Sequence, residues 1–434
     1  MKTRSKFYLA LVIFSLIGQV AWVVENMYFN VFIYKMFGAS PGDISLMVML
    51  SAVSATVTTL LIGALSDKVG KRKAFICGGY ILWGISILSF ALIRKDVIGA
   101  LFPACASVSA VCINLVIILD CVMTFFGSSA NDACFNAWLT DSTTEKNRGK
   151  CEGINSMMPL MAILAVFGGF MGFDLDKESS WTWIFIIIGA ITLIIGALGF
   201  FIIEEKPTST LENKNYFKNI FYGFSPRVIK ENNILYLYLI AFAIFGISIQ
   251  IFMPYLIIYY EVSLKMSDYV LIMAPAIVLA GVFTFFYGRM YDRYGFEKSI
   301  PIPLGLLALG YTVLILFKST LPVFVGSLFM MCGYLSGMAV FGAVIRDKTP
   351  HGKAGMFQGL RIVGQVLIPG IIGPFIGKLV LKNADTVVGN DGVESFVPNA
   401  NIFISALVVI GILAVLLAIA MVWRKKKNET EKFS

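Results

Sequence analysis

Acids and amides stand inside long apolar runs, where a chain keeps few of them. The stretch WVVENMYFNVF carries Glu25, Asn26 and Asn30, and the two asparagines, four apart, share one helical face. A second run holds Asn114 and Asp120 and closes on SSANDACFNAW, with Asn131, Asp132 and Asn136. A charge at the centre of a membrane helix costs about 2.5–3.5 kcal/mol on insertion scales, so these groups are expected to face a polar interior. At 1.5 Å per residue, Glu25 lies about 28 Å beyond Lys6 and Asp120 about 31 Å from Asp141. Both acids therefore reach similar depths. Each also has a plainer reading, as a hydrogen-bonding partner for a neighbouring helix, or for Glu25 as the partner of Lys35. Further along, Gln250, Pro254, Tyr255 and Tyr259 offer an amide, a proline-freed carbonyl and aromatic faces for stacking, though tyrosines here serve packing equally well. Arg361 and Gln365 are i and i+4 on one face. The single histidine, His351, and seven scattered cysteines form neither a metal set nor a nucleophile–base pair, so neither an enzyme nor a bound cofactor is expected.

The elements that position these groups follow from composition. The 434 residues are 58% hydrophobic and only 14% charged, against about 25% in soluble domains. There is too little polar material to cover a soluble fold of this size. Runs such as ILYLYLIAFAIFGISIQIFMPYLIIYY (234–260) are long and do not alternate, which predicts spanning helices rather than barrel strands. The first run continues to about residue 36 without a small-residue cleavage pattern and reads as a spanning helix. Twelve helices are expected, over 7–36, 43–65, 74–93, 111–138, 151–173, 182–203, 233–260, 268–288, 299–317, 322–345, 355–380 and 401–423. With the N terminus inside, the cytoplasmic segments hold 26 of the 35 Lys and Arg and the outer ones eight. That bias supports an even number of spans with both termini cytoplasmic. The net charge of +9 is then mostly topology, and no nucleic-acid partner is called for.

The chain also repeats itself. GALSDKVGKRK (63–73) and GRMYDRYGFEK (288–298) match at Gly63/Gly288, Asp67/Asp292, Lys68/Arg293, Gly70/Gly295 and Lys73/Lys298. A second pair of loops aligns Asp141, Thr143, Gly149 and Gly153 with Asp347, Thr349, Gly355 and Gly359 at one offset of 206. Both pairs fall at equivalent places, so the expected layout is two pseudo-symmetric six-helix bundles, 1–203 and 233–423. A central cytoplasmic loop (204–232) joins them, and a cytoplasmic tail follows (424–434).

Gly63, Leu65, Ser66, Asp67, Lys68, Gly70, Lys71 and Arg72 fill every constrained position of the loop signature of the major facilitator superfamily, which the whole chain resembles. The resemblance implies a secondary transporter working by alternating access, with a cavity lined mainly by helices 1, 4, 7 and 10. It gives a gating role to Asp67 and its basic neighbours. The run FNAWLTDSTTEKNRG is similar to cation-coupled sugar carriers of the glycoside–pentoside–hexuronide type. Those carriers bear aspartates on helix 2, where SAVSATVTTLLIG has hydroxyls and no carboxylate. The Gly-Pro-x-x-Gly-Gly of drug–proton antiporters is absent from helix 5, and a partial version, GPFIG, lies on helix 11.

On this reading Glu25 and Asp120 form a proton or cation site, and Asn26, Asn30, Asn114, Asp132, Asn136, Gln250 and Tyr255 line the cavity. The gate comprises Gly63, Asp67, Gly70, Arg72, Asp141, Arg148, Asp292, Arg293, Asp347 and Arg361. Arg361 is placed at the inner gate, or on an anionic substrate group. The expected activity is proton- or sodium-coupled symport of a sugar or other small polar solute, by a monomer in the cell membrane. The alternative is proton-coupled efflux of amphipathic compounds.

Overall fold

A computed structural model describes residues 2–143, 145–205, 222–350, 354–388 and 394–433. Among them, eleven helices are long and apolar enough to cross a membrane. They are α1 (Lys6–Phe37), α2 (Pro41–Gly63), α3 (Arg72–Phe90), α4 (Val108–Ser142), α5 (Gly153–Phe170), α6 (Glu178–Ile202), α7 (Asn233–Ser263), α8 (Tyr269–Ser299), α10 (Thr320–Lys348), α11 (Gly359–Val380) and α12 (Asn401–Trp423). Between α8 and α10 lies a shorter apolar helix, α9 (Pro301–Leu316), where the sequence predicts the ninth span. Prolines 301 and 303 open it, and Pro301 suits a first turn whose N–H groups have no helical partner. The chain is a multi-pass membrane protein.

Two compact units result. The first comprises Met1–Asn219 with Thr386–Phe396, the second Ile220–Asp385 with Val397–Ser434. A two-stranded antiparallel hairpin, β1 (Thr386–Val388) and β2 (Glu394–Phe396), belongs with the first unit, although it lies between α11 and α12 in sequence. The Tyr34 hydroxyl donates to the Phe396 carbonyl at 2.7 Å, and the two rings meet edge to face. No strand was expected from sequence, because three residues a side carry no readable alternation.

In lipid no hydrophobic force drives one helix onto another, so close approach and ring packing must hold each bundle together. In the first unit, a methyl placed on Gly84 of α3 would lie 2.5 Å from the backbone nitrogen of Leu193 in α6. In the second, a methyl on Gly333 of α10 would lie 2.6 Å from that of Leu307 in α9. Phe29 and Phe32 of α1 pack with Phe90 of α3 and Phe185 of α6. Phe242, Phe245, Phe296 and Phe341 make an equivalent cluster in the second unit. Such ring pairs each contribute about 0.5–1.5 kcal/mol beyond the area they bury.

Candidate functional site

Glu25 sits inside a π turn, Val24–Tyr28, that interrupts α1. A π turn admits one extra residue and leaves part of the helical hydrogen-bond ladder broken, and such turns concentrate at functional sites. The side chain of Glu25 is 6% exposed and that of Asp120 in α4 is 1% exposed. Two hydroxyls from other helices converge on Glu25. Ser51 of α2 donates to its Oε1 at 2.7 Å, and Thr124 of α4 donates to the same atom at 2.8 Å. The two hydroxyl oxygens are themselves 2.9 Å apart. Ser54, one turn along α2, donates to the Cys121 carbonyl at 3.0 Å and fastens α2 to α4 beside the site. Asp120 lies close enough to Glu25 for the two carboxyls to repel one another when both are charged. Glu25 Oε2 and Asp120 Oδ1 are buried without a hydrogen-bond partner among the described residues.

The triangle formed by Glu25 Oε1, Ser51 Oγ and Thr124 Oγ1 has three edges of hydrogen-bond length, but the hydroxyls supply only two protons. A proton on Glu25 Oε1 fills all three edges once Ser51 turns its hydroxyl to Thr124, so that Glu25 donates to Ser51, Ser51 to Thr124 and Thr124 to Glu25. A buried carboxylate without a counter-charge is costly, so a proton or a cation at this pair is the arrangement that burial favours. Lys35, the alternative partner weighed for Glu25, instead pairs with Asp176 at 3.0 Å.

Asn26 is exposed, and its amide donates to the Trp22 carbonyl at 2.7 Å. Asn30 is buried, donates to the Asn26 carbonyl at 3.0 Å, and has no partner for its Oδ1 among the described residues. Asp132 lies in a second and longer π stretch, Ser128–Phe135, and accepts from Ser128 at 3.1 Å. Asn136, exposed, donates to the Asp132 carbonyl at 3.1 Å. Asn131 donates to the Tyr80 hydroxyl at 2.8 Å, and Tyr80 donates to the Phe14 carbonyl at 2.6 Å, a polar strut joining α1, α3 and α4. Asn114 is exposed on α4 and joins none of these contacts.

In the second unit, Pro254 breaks α7 into a 3-10 turn, Met253–Tyr255. Gln250 is half-buried, and Tyr255 is buried with its ring edge at Gly377 of α11. Arg361 donates to Gln365 at 3.2 Å as the shared face implies, and Gln365 lies in a further π turn, Val363–Leu367.

The paired loops also take shape. The α2 helix runs beyond its spanning part to Val69 and ends at Gly70 with φ +67°, and Gly295 turns within its own motif at φ +71° and ψ −176°. The paired glycines thus occupy backbone regions that favour glycine. In the first unit Arg72 Nε meets Asp141 Oδ2 at 2.7 Å, joining the two loop motifs. In the second, the Tyr291 hydroxyl donates to Asp347, the counterpart of Asp141. Gly63 is half-buried, and Asp292 and Arg293 are exposed. The side chains of Asp67 and Arg148 lie outside the described residues.

Sequence reasoning passed over Ser51 and Thr124 as individual residues, although the hydroxyl run of α2 was visible. It also missed every π turn. The hydroxyls become informative only once α1, α2 and α4 meet.

Comparison with known proteins adds the following. The family model described as Major Facilitator Superfamily matches residues 8–338 and 271–434. A curated relative, the MFS-type transporter ucsD of Acremonium sp, is 28% identical over 194 residues, which are 41% of this chain and 32% of that protein. The match therefore spans about a third of that relative's length. The fold is similar to the solved structure of the nucleoside transporter NupG, with TM-score 0.69, 13% identity, and 95% and 98% of the two chains covered. It is also similar to a bacterial homolog of the human lysosomal transporter Spinster in an inward-facing, occupied conformation. There the TM-score is 0.70 at 16% identity, with 97% of each chain covered. A partially occluded, inward-open structure of the xylose transporter XylE from E. coli gives TM-score 0.66 at 14% identity, covering 96% and 98%.

Proposed function

The chain belongs to the Major Facilitator Superfamily, and from that premise we propose that this secondary transporter couples a small polar solute to a proton carried at Glu25, with Asp120 as its neighbour. The observation that carries the coupling is the oxygen triangle of Glu25, Ser51 and Thr124, one proton short of three hydrogen bonds. Loading the proton removes the buried charge, and releasing it leaves a charge that the surrounding hydroxyls alone must solvate. Solute movement is tied to that difference. Amides at Asn26, Asn30, Asn136 and Gln250 both donate and accept hydrogen bonds, which suits a hydroxylated solute such as a sugar better than a carboxylate. Asp132 serves as a further polar station on α4. The gate is assigned to the paired loops, with Arg72–Asp141 and Tyr291–Asp347 as its anchors and Arg361 beside it. The protein acts as a monomer in the cell membrane.

The test is flux into proteoliposomes of a panel of radiolabelled sugars and amphipathic cations, under imposed proton or sodium gradients. Sugar accumulation should follow an inward proton gradient and ignore sodium. Glu25→Gln should abolish accumulation yet retain solute exchange at equilibrium, because the amide still accepts from both hydroxyls but cannot cycle a proton. Accumulation driven by sodium would move the coupling to a metal cation. Amphipathic cations moving against a proton gradient would replace symport with efflux. Undiminished accumulation in both Glu25→Gln and Asp120→Asn would make the two carboxyls structural.

A further inference from the structure

The second copy of the loop motif carries a cluster of basic residues, the gate residue Arg293 among them. Arg289, Arg293 and Lys298 lie at one end of α8, and among the described residues none of them has a carboxylate within ion-pair distance. Their cationic groups lie against aromatic rings instead. The Arg289 guanidinium is 5.6 Å from the ring centre of Phe285 and 5.5 Å from that of Phe286. Arg293 and Lys298 lie 5.2 and 5.9 Å from the ring centre of Tyr294. Cation–π contact orders these groups without neutralising them.

The rings belong to a longer surface. Leu271, Val278, Val282, Phe285 and Phe286 are all exposed on α8 at spacings of three, four and seven, with Phe285 at 69% and Phe286 at 57%. Arg289 and Arg293 continue the same stripe by one and two turns. A face that is apolar for about 22 Å and then doubly basic matches an acyl chain followed by an anionic headgroup. Acidic groups nearby are Asp292 and Glu297, both exposed, and Asp347 on the packed end of α10, which accepts from Tyr291. Arg346 and Lys348, exposed beside Asp347, add positive charge. The equivalent stripe on α2 (Val53, Val57, Leu61, Leu65) is also exposed but ends in Lys68 without an aromatic.

We propose that the Phe285–Lys298 end of α8 binds an anionic phospholipid, its phosphodiester held by Arg289 and Arg293 and its acyl chain lying along Val282, Phe285 and Phe286. Arginine holds phosphate oxygens through paired N–H donors, which an ammonium does less well. The lipid supplies the counter-charge that the first copy obtains within the protein, where Arg72 meets Asp141.

The experiment is native mass spectrometry of protein released from nanodiscs containing equal phosphatidylglycerol and phosphatidylcholine. Wild type should retain phosphatidylglycerol preferentially, and Arg289→Gln with Arg293→Gln should lower that preference by roughly tenfold or more, since each basic group near the surface is worth about 1 kcal/mol. Lys318→Gln, an exposed cation elsewhere, should leave it unchanged. Phe285→Leu with Phe286→Leu keeps both charges and should weaken retention severalfold, which provides a reading should the arginine variant elute as aggregate. Equal retention of the two lipids by wild type would overturn the proposal. So would unchanged retention in both double variants, or displacement of the bound lipid by millimolar inorganic phosphate.

Discussion

At the scale of residues, Glu25 and Asp120 were legible because a carboxyl in an apolar run is conspicuous by its cost. Their hydroxyl partners were not, because serine and threonine are ordinary in membrane helices and bond their own backbone as readily as a neighbour. Thr56 does so, donating to the Ala52 carbonyl at 2.8 Å. Thr124 instead reaches across to α1, which only the packed structure shows. Removing that hydroxyl as Thr124→Val deprives a buried carboxyl of one of its two donors. A hydrogen bond of this kind is worth about 1–3 kcal/mol, so gradient-driven transport should fall roughly tenfold while the melting temperature stays within a few degrees of wild type. Tyr80→Phe should behave in the opposite way. Its hydroxyl bridges Phe14 and Asn131 in the strut between helices, so the variant should lose about 1–2 kcal/mol of stability while keeping its proton-to-solute stoichiometry. Paired thermal-melt and flux measurements on the two variants separate the roles; equal loss of transport in both would place Tyr80 in the coupling path.

At the scale of elements, the helices were readable from length and hydropathy, and their observed spans lie over the expected ones. Within them, the π turns at Val24–Tyr28, Ser128–Phe135 and Val363–Leu367 were invisible, because five to eight residues cannot separate one helical periodicity from another. All three nonetheless hold or adjoin polar groups singled out from sequence: Glu25, Asp132 and Gln365. The paired loops were the opposite case. Their glycine spacing was evident in sequence, and the structure supplies the reason in two positive φ values. Gly295 occupies a region almost closed to other residues, so Gly295→Ala should cost about 1–3 kcal/mol of stability. Gly288, seven residues earlier, has no atom beyond its own turn of helix within 4 Å of where a methyl would stand, among the described residues, and Gly288→Ala should melt like wild type. Thermal unfolding in detergent compares them directly, and equal melting temperatures would remove the backbone argument for the second glycine.

At the scale of the molecule, the chain forms two units, and the hairpin Thr386–Phe396 is the part that the repeated motifs could not announce, since no strand is found among the described residues of the first half. The charge bias of the loops gives a test of topology. Reporter tags fused at the N and C termini should report the same, cytoplasmic, face, with a tag inserted between α3 and α4 on the other; opposite faces for the two termini would mean an odd number of spans. The two halves have also diverged in how they anchor their second loop aspartate. Asp141 is held by a guanidinium, a bond between two full charges, with the aspartate about one-third exposed. Asp347 is held by a phenol, which carries no charge to screen. Mobile ions weaken the first kind of contact in proportion to its exposure, here limited by the buried Arg72, and hardly touch the second. Ionic strength is therefore a selective control: added salt should loosen the anchor of the first half while the second stays fastened, so that two copies of one loop motif respond differently to the same surroundings.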